Sequence, residues 1–244
     1  MKKLFALLLT LAMALSLAAC GGSGSGSGGA QDGGSGGGEK VVKIGVFEPQ
    51  TGDNGPGGKQ EILGMQYANT VQPTVEIGGE TYSVKLEIVD NRTTAENGPS
   101  AAAELMNRDV SVVLGSYGSG VSMAASDTFK DAGIAAMGVT CTNPNVTAGN
   151  DHYFRICFLD NFQAQVLANF AQDKFQAKTA YCLGETGNEY DQGLIAFFEQ
   201  VFTANGGKVI KASFPNNNSD FNSYLNKAKA EGADVIFTPV SIAY

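Results

Sequence analysis

Short apolar runs alternate with amphipathic stretches along most of the chain. The pattern is clearest between Val110 and Pro144. Val110-Ser111-Val112-Val113-Leu114-Gly115 suits a buried strand. A glycine-rich bend follows, Ser116 to Gly120, then a helical pattern from Val121 to Asp131. A second apolar run, Ile134 to Val139, ends in Thr140-Cys141-Thr142-Asn143-Pro144. Two parallel strands joined by one helix deliver both polar loops to the carboxyl edge of one sheet. That edge is where open α/β sheets bind ligands.

The same alternation extends in both directions. Val41–Phe47 reads as a strand, Thr51–Gly58 as a glycine-rich loop, and Lys59 to Val71 as a helix. Tyr82–Asp90 alternates as a strand, and Ala95–Arg108 reads as a helix with Ala101, Ala102, Leu105 and Met106 on one side. Tyr153–Phe158 is a further strand. Phe162, Val166 and Phe170, at i, i+4 and i+8, mark an amphipathic helix. Thr179–Leu183, Leu194–Phe202, Lys208–Ala212, Tyr224–Ala230 and Val235–Thr238 then continue as strand, helix, strand, helix, strand. Such alternation predicts an α/β fold of parallel sheets flanked by helices. A composition break at Asn143–Asp151, followed by Asp160-Asn161, divides it into two lobes, 41–159 and 160–244.

The chain before Val41 has a different character. Met1-Lys2-Lys3 is a positive start, Leu4 to Ala19 is apolar, and Leu17-Ala18-Ala19-Cys20 closes the run with small residues before a cysteine. This resembles a bacterial lipoprotein signal over residues 1–20, with cleavage before Cys20 and lipid on its thiol. The run is short for the ~20 apolar residues of a spanning helix. Fifteen of the eighteen residues from Gly21 to Gly38 are Gly or Ser. Residues 21–40 therefore read as a tether with a reach on the order of 25 Å.

Charge and chemistry narrow the function. A net charge of −8 argues against nucleic acid and against anionic lipid surfaces. Past Cys20 the cysteines are Cys141, Cys157 and Cys182, an odd number beside apolar runs, which reads as small buried side chains. The only histidine is His152, and no zinc, nucleophile-elbow or Walker pattern occurs. The glycines at 115, 118 and 120 have the wrong spacing for a dinucleotide fingerprint, and the next strand ends without the acidic residue a ribose needs. Glu185, Glu189 and Asp191 read as acidic residues complementing a helix dipole. Neither central loop holds a charge from Gly115 to Ser126 or from Thr140 to Asn145. A carboxylate there would rest on main-chain donors and hydroxyls, each bond giving roughly 1.5–3 kcal/mol. Ordinary turn chemistry and helix capping remain the competing reading of the same residues.

Several stretches, in order, carry a resemblance: Lys43 to Gly52 (KIGVFEPQTG), Val89-Asp90-Asn91, Val113 to Ser119, Thr140 to Pro144, Tyr153 to Cys157, and Asp160. Tyr190 to Gly193, Phe197 to Gly207, Ser219-Asp220-Phe221 and Ala233 to Phe237 complete the set. The chain is similar to the solute-binding proteins of branched-chain amino-acid ABC transporters, which have the two-lobed type I periplasmic-binding-protein fold. The resemblance implies a non-enzymatic receptor without cofactor or metal. Its partners would be an amino-acid ligand, ABC permease subunits and, through lipidated Cys20, an extracytoplasmic membrane surface. By that resemblance Ser119 and Thr142 hold the ligand carboxylate, and Thr140 offers its carbonyl to the ammonium. Tyr190 is the aromatic brought across the cleft, Tyr117 lines the side-chain pocket, and Asp160 lies at the first hinge crossing, expected to face the cleft. A ligand sensor on the same fold is the alternative, and a Rossmann-type enzyme a more distant one.

Three departures accompany the resemblance. The loop Gly52–Gly58 has no aromatic, Gly57 standing where relatives often place one. Val240-Ser241-Ile242 stands where a second cleft aromatic is expected. Relatives also run well over a hundred residues further, so the second lobe is expected to be incomplete, the chain a truncated or partial product, and amino-acid binding by it weak or absent.

Overall fold

The computed structural model describes residues 39–240. The expected leader, Cys20 and most of the tether, together with Ser241-Ile242, lie outside the described residues. Two sheets carry the fold. The first has six strands: β1 (Val41–Glu48), β2 (Thr74–Ile77), β3 (Glu80–Asp90), β4 (Val112–Leu114), β5 (Ala135–Gly138) and β6 (Tyr153–Arg155), in the order β2-β3-β1-β4-β5-β6. The second has β7 (Thr179–Glu185), β8 (Lys208–Phe214) and β9 (Val235–Phe237), in the order β8-β7-β9. All pairings are parallel except β2 with β3.

That exception adds an antiparallel edge strand to the expected parallel sheets. Gly78 and Gly79 both have positive φ, 61° and 81°, which is the backbone of a two-residue hairpin turn. The hairpin places Thr74–Ile77 as an edge strand on β3. Elsewhere β1 is buried on both faces from Gly45 to Glu48, as parallel sheets covered by helices require. β7 is buried from Ala180 to Glu185.

Six helices connect the strands: α1 (Gly55–Val71), α2 (Gly98–Met106), α3 (Ser119–Asp131), α4 (Asp160–Phe175), α5 (Glu189–Ala204) and α6 (Asn222–Ala230). In the first lobe Phe129 of α3 sits between Phe47 of β1, centroids 5.4 Å apart, and Tyr153 of β6, 6.1 Å away. Around them Leu105, Val113, Val121 and Ala125 complete the core. The second sheet has a core on each face. On one face Phe198 of α5 stacks on Phe237 of β9 at 4.1 Å, and on the other Phe214 meets Phe221 at 5.0 Å.

Two helices differ from the sequence reading. α1 starts at Gly55, inside the stretch read as a loop. A Cβ on Gly58 would lie 2.1 Å from the Pro49 carbonyl, so these glycines let the helix dock against the end of β1. In α4 the inward face is Ala164, Ala168 and Ala171, whereas Phe162, Val166 and Phe170 are 59%, 50% and 52% exposed. The alanines pack with Leu194, Ile195, Phe198 and Phe202 of α5, bringing the two helices close. The aromatic stripe faces away from that core. Of the cysteines, Cys141 and Cys182 are buried, Cys157 is half-buried, and all three are free thiols.

Candidate functional site

The carboxyl ends of β1 and β4, and the loop after β5, meet at one edge of the first sheet. Chain turns there are held by side chains. Asp90 Oδ1 accepts from the Gln50 N–H at 2.8 Å, and its Oδ2 accepts from the Thr51 hydroxyl at 2.6 Å, fixing the approach to α1. Gly118, at φ 113°, turns the chain into α3, so that Ser119 is the first helical residue. Helix N-termini offer unpaired N–H groups and a positive dipole end.

The loop after β5 is clamped from below. Arg155 of β6 donates through Nη1 to the Cys141 and Asn143 carbonyls, both at 3.0 Å, and through Nη2 to Thr147 Oγ1 at 2.9 Å. The Asn143 N–H donates to Ser119 Oγ at 3.2 Å, so the loop and the helix start are one unit. Thr142 Oγ1 is buried without a well-aligned hydrogen-bond partner among the described residues. The Asp160 N–H donates to the Thr142 carbonyl at 3.0 Å. Burial raises the Asp160 carboxyl, with Thr142 and Arg155 acting in the other direction.

Facing this unit is the start of α5. Asn188 Oδ1 accepts from the Tyr190 and Asp191 N–H groups and caps the helix. The Tyr190 hydroxyl accepts from Gln163 Nε2 at 3.2 Å, and burial raises its pKa. Two contacts span the two sides, and a third bond, from one of the same amides, stays within the second. Asn143 Nδ2 donates to the Glu189 carbonyl at 3.1 Å, and Asn216 Nδ2 donates to Asp53 Oδ2 at 2.7 Å and to Glu185 Oε1 at 2.6 Å. A Cβ on Gly193 would lie 2.7 Å from Asn143 Nδ2, so glycine admits the asparagine.

Between the sides lies a cavity of ≈ 660 Å³. Tyr117, Ser119, Thr140, Thr142 and Tyr190 all line it. Asp160 does not; it is fully buried at the start of α4. The Thr140 hydroxyl is committed to Glu61 Oε1, leaving the main chain of that residue for other contacts. Burial, then the Glu61 charge, raises the Tyr117 phenol, and its ring lies where a Cβ on Gly57 would be, 2.6 Å from Cε2. The first-lobe tyrosine thus fills the space beside the residue where an aromatic was expected.

The acidic lining, drawn from both sides, was not anticipated as a unit. Asp53, Glu185 and Glu189 line the cavity, with Asn216 between the first two, and no Lys, Arg or His stands among the described lining residues. Asp191 stands in the first turn of α5, as the dipole reading expects. It is buried, accepts from the Glu185 N–H at 2.7 Å, and burial followed by the Glu185 charge pushes its carboxyl up to about 7 despite that bond. Arg155 and Asn216 act through contacts 8 to 163 residues distant in sequence, which periodicity does not report. Glu185 stood in the acidic stretch already noted.

The profile of the periplasmic binding protein family matches residues 41–242. The chain belongs to that family. A Leu/Ile/Val-binding protein homologue of Brucella melitensis is 29% identical over 199 residues, 80% of this chain and 53% of that protein. Among solved structures, a leucine-binding protein LivK from Thermotoga maritima superimposes with TM-score 0.76 at 31% identity, covering 81% of this chain and 56% of that one. The isoleucine complex of LivJ from Streptococcus pneumoniae gives TM-score 0.73 at 25% identity, over 82% and 57%. These relatives are binding proteins, not enzymes. The chain spans about half the length of the curated relatives it matches.

Proposed function

We propose that this protein is an extracytoplasmic solute-binding protein whose cavity captures a small amino acid, branched-chain or of similar size, for delivery to an ABC permease. The observation that carries the reading is the polarity of the cavity. One wall presents the α3 start, Ser119 and Thr142, which suit a carboxylate. The opposite wall presents Glu185 and Glu189, and Asn216 ties Glu185 to Asp53 of the first lobe, an acidic set that suits an ammonium. A zwitterion satisfies both walls, whereas an aromatic monocarboxylate satisfies one and meets uncompensated acids at the other.

Ser119 and Thr142 are assigned to the carboxylate, the Thr140 carbonyl to the ammonium, and Tyr117 and Tyr190 to the side chain. The lobes are divided at Leu159/Asp160. Contacts from both lobes to one ligand favour the closed state, which is the form a permease would recognise. The leader pattern supports anchoring through lipid on Cys20. The amino-acid names of the relatives support the ligand class. Calorimetric titration with leucine, isoleucine, valine and benzoate, at concentrations that reach the weak binding expected of a chain spanning about half the length of its relatives, tests the reading. Heat of binding for an amino acid and none for benzoate supports it, and benzoate binding in preference to every amino acid overturns it.

A further inference from the structure

Behind the Tyr117 and Thr140 loops lies a pair of carboxyl groups that capture of a ligand does not itself explain. Glu48 ends β1 and is fully buried; Glu61 stands on α1. One oxygen of each is engaged by a different loop. Glu48 Oε2 accepts from the Tyr117 N–H at 2.7 Å, and Glu61 Oε1 accepts from the Thr140 hydroxyl. The remaining oxygens, Glu48 Oε1 and Glu61 Oε2, are buried and have no other partner among the described residues. The two carboxyls are within hydrogen-bonding reach of each other. Two ionised groups so placed repel, while a single proton held by the two carboxyls removes that repulsion.

We propose that Glu48 and Glu61 share one proton, and that this carboxyl pair is a positioning device holding the Tyr117 loop in register with the Thr140 loop. The proposal rests on the reading of these two loops as ligand loops. The path runs Tyr117 N–H, Glu48, proton, Glu61, Thr140 hydroxyl, and it joins β1, α1 and the ends of β4 and β5. Neither glutamate lines the cavity.

The surroundings agree. Burial, then the charge and hydrogen bond of Glu61, raises Glu48 to about 10, against the Tyr117 amide. No cation among the described residues acts on it. Tyr153 on β6 and Cys141 after β5 stand behind Glu48; both are raised by burial first, Tyr153 also by the Cys141 and Glu48 charges. Asp90, the register partner of Glu48 on β3, is occupied by the Gln50, Thr51 and Arg92 N–H groups. Around Glu61, the Tyr117 phenol and the Cys157 thiol feel its charge. Losing the shared proton leaves two adjacent anions and releases the tie between the loops.

The test is a pH titration by NMR of the full 244-residue chain without ligand, so that its failure is separable from failure of the amino-acid reading. The Tyr117 amide and Thr140 methyl resonances are followed from pH 6 to 11 in wild type, Glu48→Gln and Glu48→Leu. In wild type both resonances move with one shared alkaline midpoint. Glu48→Gln donates to Glu61 without an ionisable proton, so it keeps the neutral-pH positions and loses that midpoint, while retaining any phenol titration. Glu48→Leu displaces both resonances already at pH 6. Carboxyl carbons of both glutamates ionising in the ordinary range near 4.5, or identical Tyr117 and Thr140 profiles in wild type and Glu48→Gln, would overturn the proposal.

Discussion

Ser119 Oγ accepts a hydrogen bond from the Asn143 N–H at 3.2 Å. This contact joins the first residue of α3 to the loop after β5, and with it two of the assigned carboxylate groups share one rigid mount. A hydrogen bond to a charged group is worth about 1.5–3 kcal/mol. Ser119→Ala is therefore expected to weaken amino-acid binding by about 10- to 100-fold, at roughly 1.4 kcal/mol per tenfold. Thr142→Val tests the second hydroxyl in the same way. Calorimetry on each variant reads the loss; unchanged affinity in both would remove these hydroxyls from the site.

Asn216 holds Asp53 and Glu185 by one amide nitrogen. Asn216→Asp places a third carboxylate there and is expected to loosen the approach of the two sides at low salt. Salt screens the effect, since the Debye length shrinks from about 30 Å at 0.01 M to about 3 Å at 1 M. Small-angle scattering of wild type and variant at both salt concentrations checks it. No difference between them at low salt would mean that the bridge does not hold the sides together.

Tyr117 and Gly57 occupy each other's space. A Cβ at residue 57 would lie 2.6 Å from the ring. Gly57→Ala is expected to cost about 1–3 kcal/mol as overpacking. The Tyr117→Ala background is expected to absorb most of that cost. Thermal melts of the two single variants and the double variant measure the coupling, and strict additivity would contradict the contact.

Glu48 carries a pH-dependent cost. Its carboxyl sits near 10 in the fold, raised by burial, then by the charge and hydrogen bond of Glu61, against the Tyr117 amide and an ordinary value of 4.5. A raised folded value means that the fold keeps a proton the unfolded chain releases. The pair's contribution is fully present below 4.5 and is lost progressively as pH rises toward 10. Glu48→Gln removes that loss. The variant is expected to gain on wild type as pH rises from 4.5 toward 10. Denaturant melts from pH 4 to 9 check the trend, and parallel curves would contradict it.

The orientation of α4 is testable by contrast. Phe170→Ser lies on the exposed stripe and is expected to change stability by less than about 0.5 kcal/mol. Ala168→Leu lies against α5 and is expected to cost about 1–3 kcal/mol. Reversal of that order would put the aromatic face inward.

The strand–helix alternation was readable because parallel strands buried on both faces are short apolar runs, as in Gly45–Phe47 and Ala180–Leu183. Hydrophobic spacing alone misoriented α4, because close helix packing selected small alanines over large aromatics. The β2–β3 hairpin had a local signal in Gly78-Gly79 that the apolar pattern did not use. Ser119, Thr140 and Thr142 could be read from position, as polar residues following apolar strands at one sheet edge. Arg155, Asn216 and the Glu48–Glu61 pair could not, since each acts across the fold through a partner that sequence spacing does not supply.

The central claim is that the cavity recognises both ends of a zwitterion. The most direct measurement is a calorimetric comparison of leucine with 4-methylpentanoate, which lacks the ammonium, and with isoamylamine, which lacks the carboxylate. The account predicts that leucine binds at least about 100-fold more tightly than either, each lost charged hydrogen bond being worth roughly 1.5–3 kcal/mol. Binding of 4-methylpentanoate as tight as that of leucine would contradict it.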